Sequence, residues 1–315
     1  MTPSVVSLPP SGLRSLLFAP ANHARHAQRV FESAADAAVL DLEDAVPPAG
    51  KLAARVSALA ALARPRTCAG YVRVNSFATP WCHGDLVAVV APGTDGIVLP
   101  KAESAEQLRT LAWLIGNLER ERGLPAGAID LLPLVETARG IMALEEICSA
   151  SPRVRRVAFG GGDYTLDLGL TWTAAEDELA FARARLVHCA RAAGIEPPID
   201  TVQLQLRDSE RFRASAARAR QLGFQGKLCI HPDQVPIANA AFGPTAAEIA
   251  RARAVVTAFE AAEAAGSAAI EVDGQFVDYP VLHAARRVLA LAGRDAGSTL
   301  SSPAASALAP ATPGS

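Results

Sequence analysis

Aromatic side chains are scarce in this chain: 5% of 315 residues, with only two methionines and three tryptophans. Stacked rings cannot supply much of a core. Half of the residues are hydrophobic all the same, many of them alanine, which suits a protein of many packed helices. Long apolar runs are missing too. None approaches the roughly 18 residues of a membrane helix, so no membrane partner is expected. The opening MTPSVVSLPP lacks a positive n-region and is a poor signal peptide, so a cytoplasmic location is expected. Charge of one sign does not dominate: the formal net charge is −2 and no Lys/Arg block occurs, which removes the electrostatic footprint of a nucleic-acid binder. The arginines are spread along helical segments and read as solvated faces. The five cysteines (Cys68, Cys82, Cys148, Cys189, Cys229) are odd in number and lack C-x-x-C spacing. Each reads as a small buried hydrophobe with a reduced thiol. His23, His26, His83, His188 and His283 show no metal-ligand spacing.

What is present is an alternation. Short β-branched or leucine-rich runs are separated by longer Ala/Leu/Arg segments. The strand candidates are SLLFA (15–19), AAVLDL (37–42), GYVRVN (70–75), DGIVLP (95–100), LLPLVE (131–136), RRVAFG (155–160), TVQLQL (201–206) and KLCI (227–230). They are nearly continuously apolar, as parallel strands covered on both faces are. Helices are expected between them, for instance over 103–121 and 175–193, with Ser104 and Thr137 placed as caps. Eight such units over roughly 250 residues predict an α/β fold, a (β/α)8 TIM barrel. A doubly wound sheet would want a Gly-rich phosphate turn after the first strand, and FAPANHAR is not one. Beyond the eighth strand, a helix over 245–265 and a hairpin turning at Asp273-Gly274 form a C-terminal extension. The expected division is a barrel over 12–243, a helical or lid-like extension over 244–294, and a disordered Ala/Ser/Pro-rich tail over 295–315.

Chemistry in such a barrel is built at the C-terminal ends of the strands. Those positions carry Asp41, Glu43 and Asp44 after the second strand, Arg73 and Asn75 on the third, Lys101 after the fourth, Glu136 after the fifth, Asp163 after the sixth and His231 after the eighth. Glu136 and Asp163 suit a hard divalent cation, since Mg2+ is held by one or two carboxylates with water and substrate oxygens completing its shell. The bland reading of Asp163, behind three glycines in FGGGD, is a helix cap. Arg73, inside an apolar strand, needs an anionic partner, and its fork suits a carboxylate. Together these residues describe a site that chelates a small 2-oxo acid. Of Asp41, Glu43 and Asp44, one is expected to support Lys101 or Arg73 and another to cap the next helix. His231, before Pro232, reads as a structural hydrogen-bonding group at least as readily as a catalytic one.

At these residues the sequence resembles the CoA-ester lyases of the citrate lyase β-subunit (HpcH/HpaI aldolase) superfamily. The matching segments are RSLLFAPAN (14–22), LDLEDAV (40–46), VRVN (72–75), LPKAES (99–104), LVETARG (134–140), FGGGDYTLDLG (159–169), CIHPDQV (229–235) and GQFVDYPVLHAA (274–285). The resemblance implies a Mg2+-dependent barrel, with Mn2+ as a substitute, usually a homotrimer. It would cleave or form a carbon–carbon bond β to a thioester, yielding an acetyl-CoA-like thioester and a 2-oxo acid. Carried over by position, Glu136 and Asp163 bind the metal and Arg73 the oxo-acid carboxylate. Asp41, Asp44, Lys101 and Glu136 line the substrate. Pro20, Asn22 and Arg25 lie near CoA, and Asp278 is the acid/base that reaches a neighbouring subunit's site. Two other readings stand beside this one: a metal-dependent aldolase acting on free 2-oxo acids, and a non-catalytic CoA- or oxo-acid-binding subunit of a complex.

Overall fold

The computed structural model describes residues 12–298. The chain divides into two compact units, one ending at Phe242 and the other beginning at Gly243. In the first, parallel strands follow one another around a closed barrel: β1 Ser15–Pro20, β2 Ala37–Asp41, β3 Ala69–Arg73, β4 Gly96–Leu99, β5 Asp130–Val135, β6 Ala158–Phe159, β7 Ile199–Asp200 and β8 Gly226–Cys229. β8 returns to pair with β1 through Leu228 and Leu16, so the barrel has no exposed edge. Every crossover carries helix, and the fold is the expected (β/α)8 barrel.

The period of two along each strand sorts its side chains. Leu16, Val39, Tyr71, Val98, Leu134, Ala158 and Leu228 cluster inside the barrel, while Leu17, Leu40, Val72, Ile97, Val135, Phe159 and Cys229 pack outward against helices. Adding two to an inward position therefore reaches the rim on the inner side. From Val39 this gives Asp41, from Tyr71 Arg73, from Leu134 Glu136 and from Ala158 Gly160. Ser104 caps the helix Ala105–Glu121 by accepting the Gln107 N–H, and Thr137 caps Ala138–Met142 by accepting the Gly140 N–H.

Two expectations change here. Residues 201–206 are not a strand: β7 is Ile199–Asp200, its pairing ends at Asp200 opposite Lys227, and the chain then leaves the sheet. Pro197 and Pro198 bring no N–H to the ladder before it, and Leu204 and Leu206 of the apparent alternation face solvent. Nor are all arginines on solvated faces. Arg183 is fully buried, with Nε donating to Asp200 Oδ1 at 2.8 Å, and Lys227 Nζ donates to the other oxygen of the same carboxylate at 2.6 Å. Arg156 is equally buried between Asp130 and Glu196. Such charges persist in an interior only because each is paired.

The second unit has its own small core of Val255, Phe259, Val277, Leu282 and Ala285. Thr245 and Glu248 form a reciprocal capping box at the start of the helix Ala246–Ala264. The hairpin forms as expected, from β9 Ile270–Val272 and β10 Gln275–Val277, with Asp273 and Gly274 at φ 52° and 76°. The last helix runs Tyr279–Ser298, so residues 295–298 of the expected disordered tail are helical, and the remainder of that expectation lies outside the described residues.

Candidate active site

One continuous chain of ion pairs crosses the C-terminal rim of the barrel. Asp41 and Arg73 end adjacent strands in register, and they meet fork to fork: Arg73 Nε donates to Oδ1 at 2.8 Å and Nη2 to Oδ2 at 2.6 Å. Arg73 Nη1 lies 3.1 Å from Glu43 Oε2, and its guanidinium rests over the Phe18 ring at 5.3 Å. Glu43 passes the chain on, its other oxygen accepting from Lys101 Nζ at 2.8 Å. The same ammonium donates to Asp163 Oδ2 at 2.8 Å and stands 3.7 Å from Asp44 and 3.9 Å from Glu136. Glu136 is buried and accepts the main-chain N–H of Lys101 at 2.9 Å.

The loop that follows Asp41 and carries Glu43 and Asp44 is fixed from below. The buried Lys51 ammonium donates to the carbonyls of Leu42 and Glu43, each at 2.7 Å. None of the three acids caps the next helix, contrary to expectation: the turn Pro48–Gly50 and the helix Lys51–Leu62 begin without a side-chain cap. Asp41 instead accepts the Glu43 N–H at 2.8 Å, so two of the acids serve the cations and each other. Asp163 is not a cap either. It stands in the first turn of the helix Gly161–Leu168, whose preceding residue is Gly160, and its carboxylate is spent on Lys101.

The three glycines before Asp163 have separate reasons. A Cβ on Gly160 would lie 2.2 Å from Glu136 Oε2, so only glycine lets the carboxylate lie across this turn. A Cβ on Gly161 would meet Thr201 Oγ1 at 3.0 Å, where the Gly161 N–H already donates at 2.7 Å. On Gly162 it would meet only the Trp172 ring, at 4.0 Å. Gly160→Ala is therefore expected to destabilise by about 1–3 kcal/mol through overpacking. Gly162→Ala is expected to stabilise by up to about 1 kcal/mol through helix propensity. Urea unfolding of the two variants checks both signs.

Burial pushes the Glu136 carboxyl up to about 8, with the Glu43 and Asp163 charges adding to burial against the pull of Lys101 and Arg73. Burial likewise raises Glu43, against Arg73 and Lys101. Burial works against the Lys101 charge, but hydrogen bonds to Asp163 and Glu43 outweigh it and hold the amine above its ordinary value. Five carboxylates, Asp41, Glu43, Asp44, Glu136 and Asp163, thus share two cations, Arg73 and Lys101. The surplus of negative charge and the all-oxygen donor set fit a small hard divalent cation. Among the described residues no three His, Cys, Asp or Glu side chains form a ready-made cage. The fit is to a cation held by two carboxylates, with its remaining positions left to water and substrate.

The first βα segment of the barrel carries three further sequence candidates, Pro20, Asn22 and Arg25. Pro20 pairs with Asp41 in register, and the Ala21 N–H donates to the Asp41 carbonyl at 3.0 Å, so the first turn is tied to the acidic rim. Asn22 lies in that turn, and Arg25 is exposed on the short helix Ala24–Arg29. His231 Nδ1 accepts the Asp233 N–H at 3.3 Å, a local structural bond. Asn75 donates to buried Asp85 at 2.6 Å and supports the loop rather than the rim. Asp278 belongs to the second unit, where its carboxylate accepts the Val281 N–H at 3.3 Å at the start of the last helix.

A closed (β/α)8 barrel with an acidic, cation-bridged rim at the strand C-termini places its charged cluster at the face where enzymes of this fold carry their chemistry. The chain belongs to the HpcH/HpaI aldolase/citrate lyase family, which matches over residues 14–232. A citrate lyase subunit beta-like protein of Deinococcus radiodurans is 41% identical, over 90% of this chain and 99% of that protein. An L-malyl-CoA/β-methylmalyl-CoA lyase of Rhodobacter capsulatus is 33% identical, over 84% and 90% of the two chains. Among solved structures, the CitE protein of Mycobacterium tuberculosis in complex with magnesium, acetoacetate and coenzyme A is 32% identical with a TM-score of 0.72, over 92% of this chain and all of that one. The protein is accordingly a carbon–carbon lyase of a family that acts on CoA esters.

Proposed function

We propose that the protein is a Mg2+-dependent lyase that cleaves or forms a β-hydroxyacyl-CoA of the citryl- or malyl-CoA type, giving an acetyl-CoA-like thioester and a 2-oxo acid. The observation that carries the reading is that the carboxylates of Glu136 and Asp163, from the ends of β5 and β6, converge on a single positive charge. These two residues would hold the metal. When bound, the ion supplies Lewis-acid polarisation of the keto oxygen of the oxo acid. A CitE relative solved with magnesium and coenzyme A supports both the ion and the thioester.

The chain's own groups do the rest. Arg73, oriented by Asp41 and Glu43, keeps N–H groups for the oxo-acid carboxylate. Glu43 and Lys101 keep the rim's charge balanced while an anion enters. In the cleavage direction the β-hydroxyl proton passes to the carboxylate of Asp278 from a neighbouring chain, the carbon–carbon bond breaks, and its electron pair becomes the thioester enolate. Asp278 of a neighbouring chain in a trimer is the acid that protonates the enolate's α-carbon, and in the reverse direction it is the base that removes that proton. Pro20, Asn22 and Arg25 border the CoA path. Incubation with citryl-CoA, malyl-CoA and β-methylmalyl-CoA, and in parallel with the free hydroxy acids, tests the substrate class. Release of 2-oxo acid from at least one thioester and from none of the free acids is expected. Release from the free acids alone would favour an aldolase without CoA.

A further inference from the structure

The chain contains three lysines among its 30 basic Lys and Arg residues. Two are enclosed: Lys51 holds the acidic loop from beneath, and Lys227 neutralises Asp200 inside the barrel. Lys101 alone of the three opens to solvent, at 35% side-chain exposure. Where nearly every other cation is an arginine, a lysine at the centre of four rim carboxylates stands out chemically. Its ammonium is a compact point charge with three donors and rotatable bonds, whereas a guanidinium is a wide fixed fork.

The backbone at Lys101 is unusual as well. Its φ of 49° lies in the left-handed region, which a residue with a Cβ occupies only at a cost. In this conformation the residue grips the rim twice: its N–H donates to Glu136 at 2.9 Å, and its Nζ donates to Asp163 at 2.8 Å and to Glu43 at 2.8 Å. One residue thereby binds both carboxylates assigned to the metal, through two different groups. The main-chain grip on Glu136 uses one oxygen and can persist with a metal on the other. The ammonium on Asp163 occupies the very charge that a metal must bring.

We infer that Lys101 is a built-in counter-ion: its ammonium holds Asp163 and Glu43 together in the metal-free enzyme, and an arriving divalent cation displaces it from Asp163 onto Glu43 and Asp44. The inference rests on the assignment of Glu136 and Asp163 as the metal-binding pair. Lys101 is a positioning residue in this account. It keeps like-charged groups from splaying apart before the metal arrives, and it weakens metal binding because it competes for the same oxygens.

Two measurements on the full-length protein test this. The first is Mg2+ titration by calorimetry at pH 8.5 and constant ionic strength, on the wild type, Lys101→Met and Lys101→Arg. Removing a positive charge a few ångströms from the bound ion should tighten Mg2+ binding by about tenfold. Lys101→Arg, which keeps the charge, should stay within about threefold of the wild type. The second uses the wild type alone and so does not depend on how the variants fold. Acetylation of Lys101 by an amine-selective reagent, followed by peptide mass spectrometry, should run several-fold faster with saturating Mg2+ than with chelator, because the amine released from Asp163 is more open to the reagent. If the wild type binds Mg2+ but Lys101→Met binds it equally or more weakly, the counter-ion role is wrong while the metal site stands. Unchanged or slower acetylation with Mg2+ also overturns it. If the wild type binds no Mg2+, the metal assignment itself falls and takes the inference with it.

Discussion

Glu136→Gln is expected to lower turnover by about a thousandfold or more and, at the same time, to make the metal-free protein more stable than the parent at pH 8. The loss follows if Glu136 holds an ion whose charge stabilisation is worth several kcal/mol, since each 1.4 kcal/mol is about a factor of ten in rate. The gain follows from burial. Glu136 has an ordinary value of 4.5 and is pushed to about 8 in the folded chain. Between those values the folded protein keeps a proton that the unfolded chain releases. This contribution to stability is complete below about pH 4.5 and is lost as pH rises through about 8. Glutamine does not titrate, and its carbonyl still accepts the Lys101 N–H. The melting temperature of the variant should therefore pull ahead of the parent's between pH 5 and pH 8.5 in chelator. Added Mg2+ should raise the melting temperature of the parent and leave the variant unmoved. A parent–variant gap that is flat in pH, or an equal Mg2+ response, would remove Glu136 from the metal role.

Asp278→Asn should lower turnover by about a hundredfold to ten-thousandfold, the range for a lost acid/base, while Mg2+ affinity stays within about twofold. The substitution is a clean one. Asp278 bonds the Val281 N–H at the start of Tyr279–Ser298, and asparagine serves that purpose as well as aspartate does. The second unit should therefore keep its fold, and the change should report on proton transfer. Mixing inactive Asp278→Asn chains with inactive Glu136→Ala chains then tests the proposed sharing of sites in a trimer. Recovered activity is expected, because some interfaces pair an intact metal site with an intact aspartate. If subunits demonstrably exchange and nothing returns, the aspartate does not serve a neighbour.

The barrel and the acidic rim were legible in the sequence for a local reason. Strands such as Asp130–Val135 are buried on both faces, so they read as unbroken apolar runs, and the charges that end them stand out. At the seventh strand the signal fails. Ile199–Asp200 is a strand because the closing barrel places it between Ala158 and Lys227, and nothing in its two residues announces that. The alternating TVQLQL beside it looked more like a strand and is a loop. The partnerships were less legible than the positions. Asp163 was readable as a rim carboxylate, but its ion pair with Lys101 spans two crossovers. Arg183 read as a surface cation because Asp200 and Glu176, its partners, are distant in sequence or on a loop. The three glycines were conspicuous, yet only the path of Glu136 across Gly160 explains the first of them.

The central claim is that catalysis runs on one divalent cation held by Glu136 and Asp163. Its most direct test is turnover of the preferred CoA thioester by chelator-stripped enzyme as Mg2+ is restored, with bound metal counted in the same samples. The account predicts negligible activity in excess chelator and a saturable return that tracks one ion per chain and fails in Glu136→Gln. Full turnover in excess chelator, with no metal bound, would contradict it.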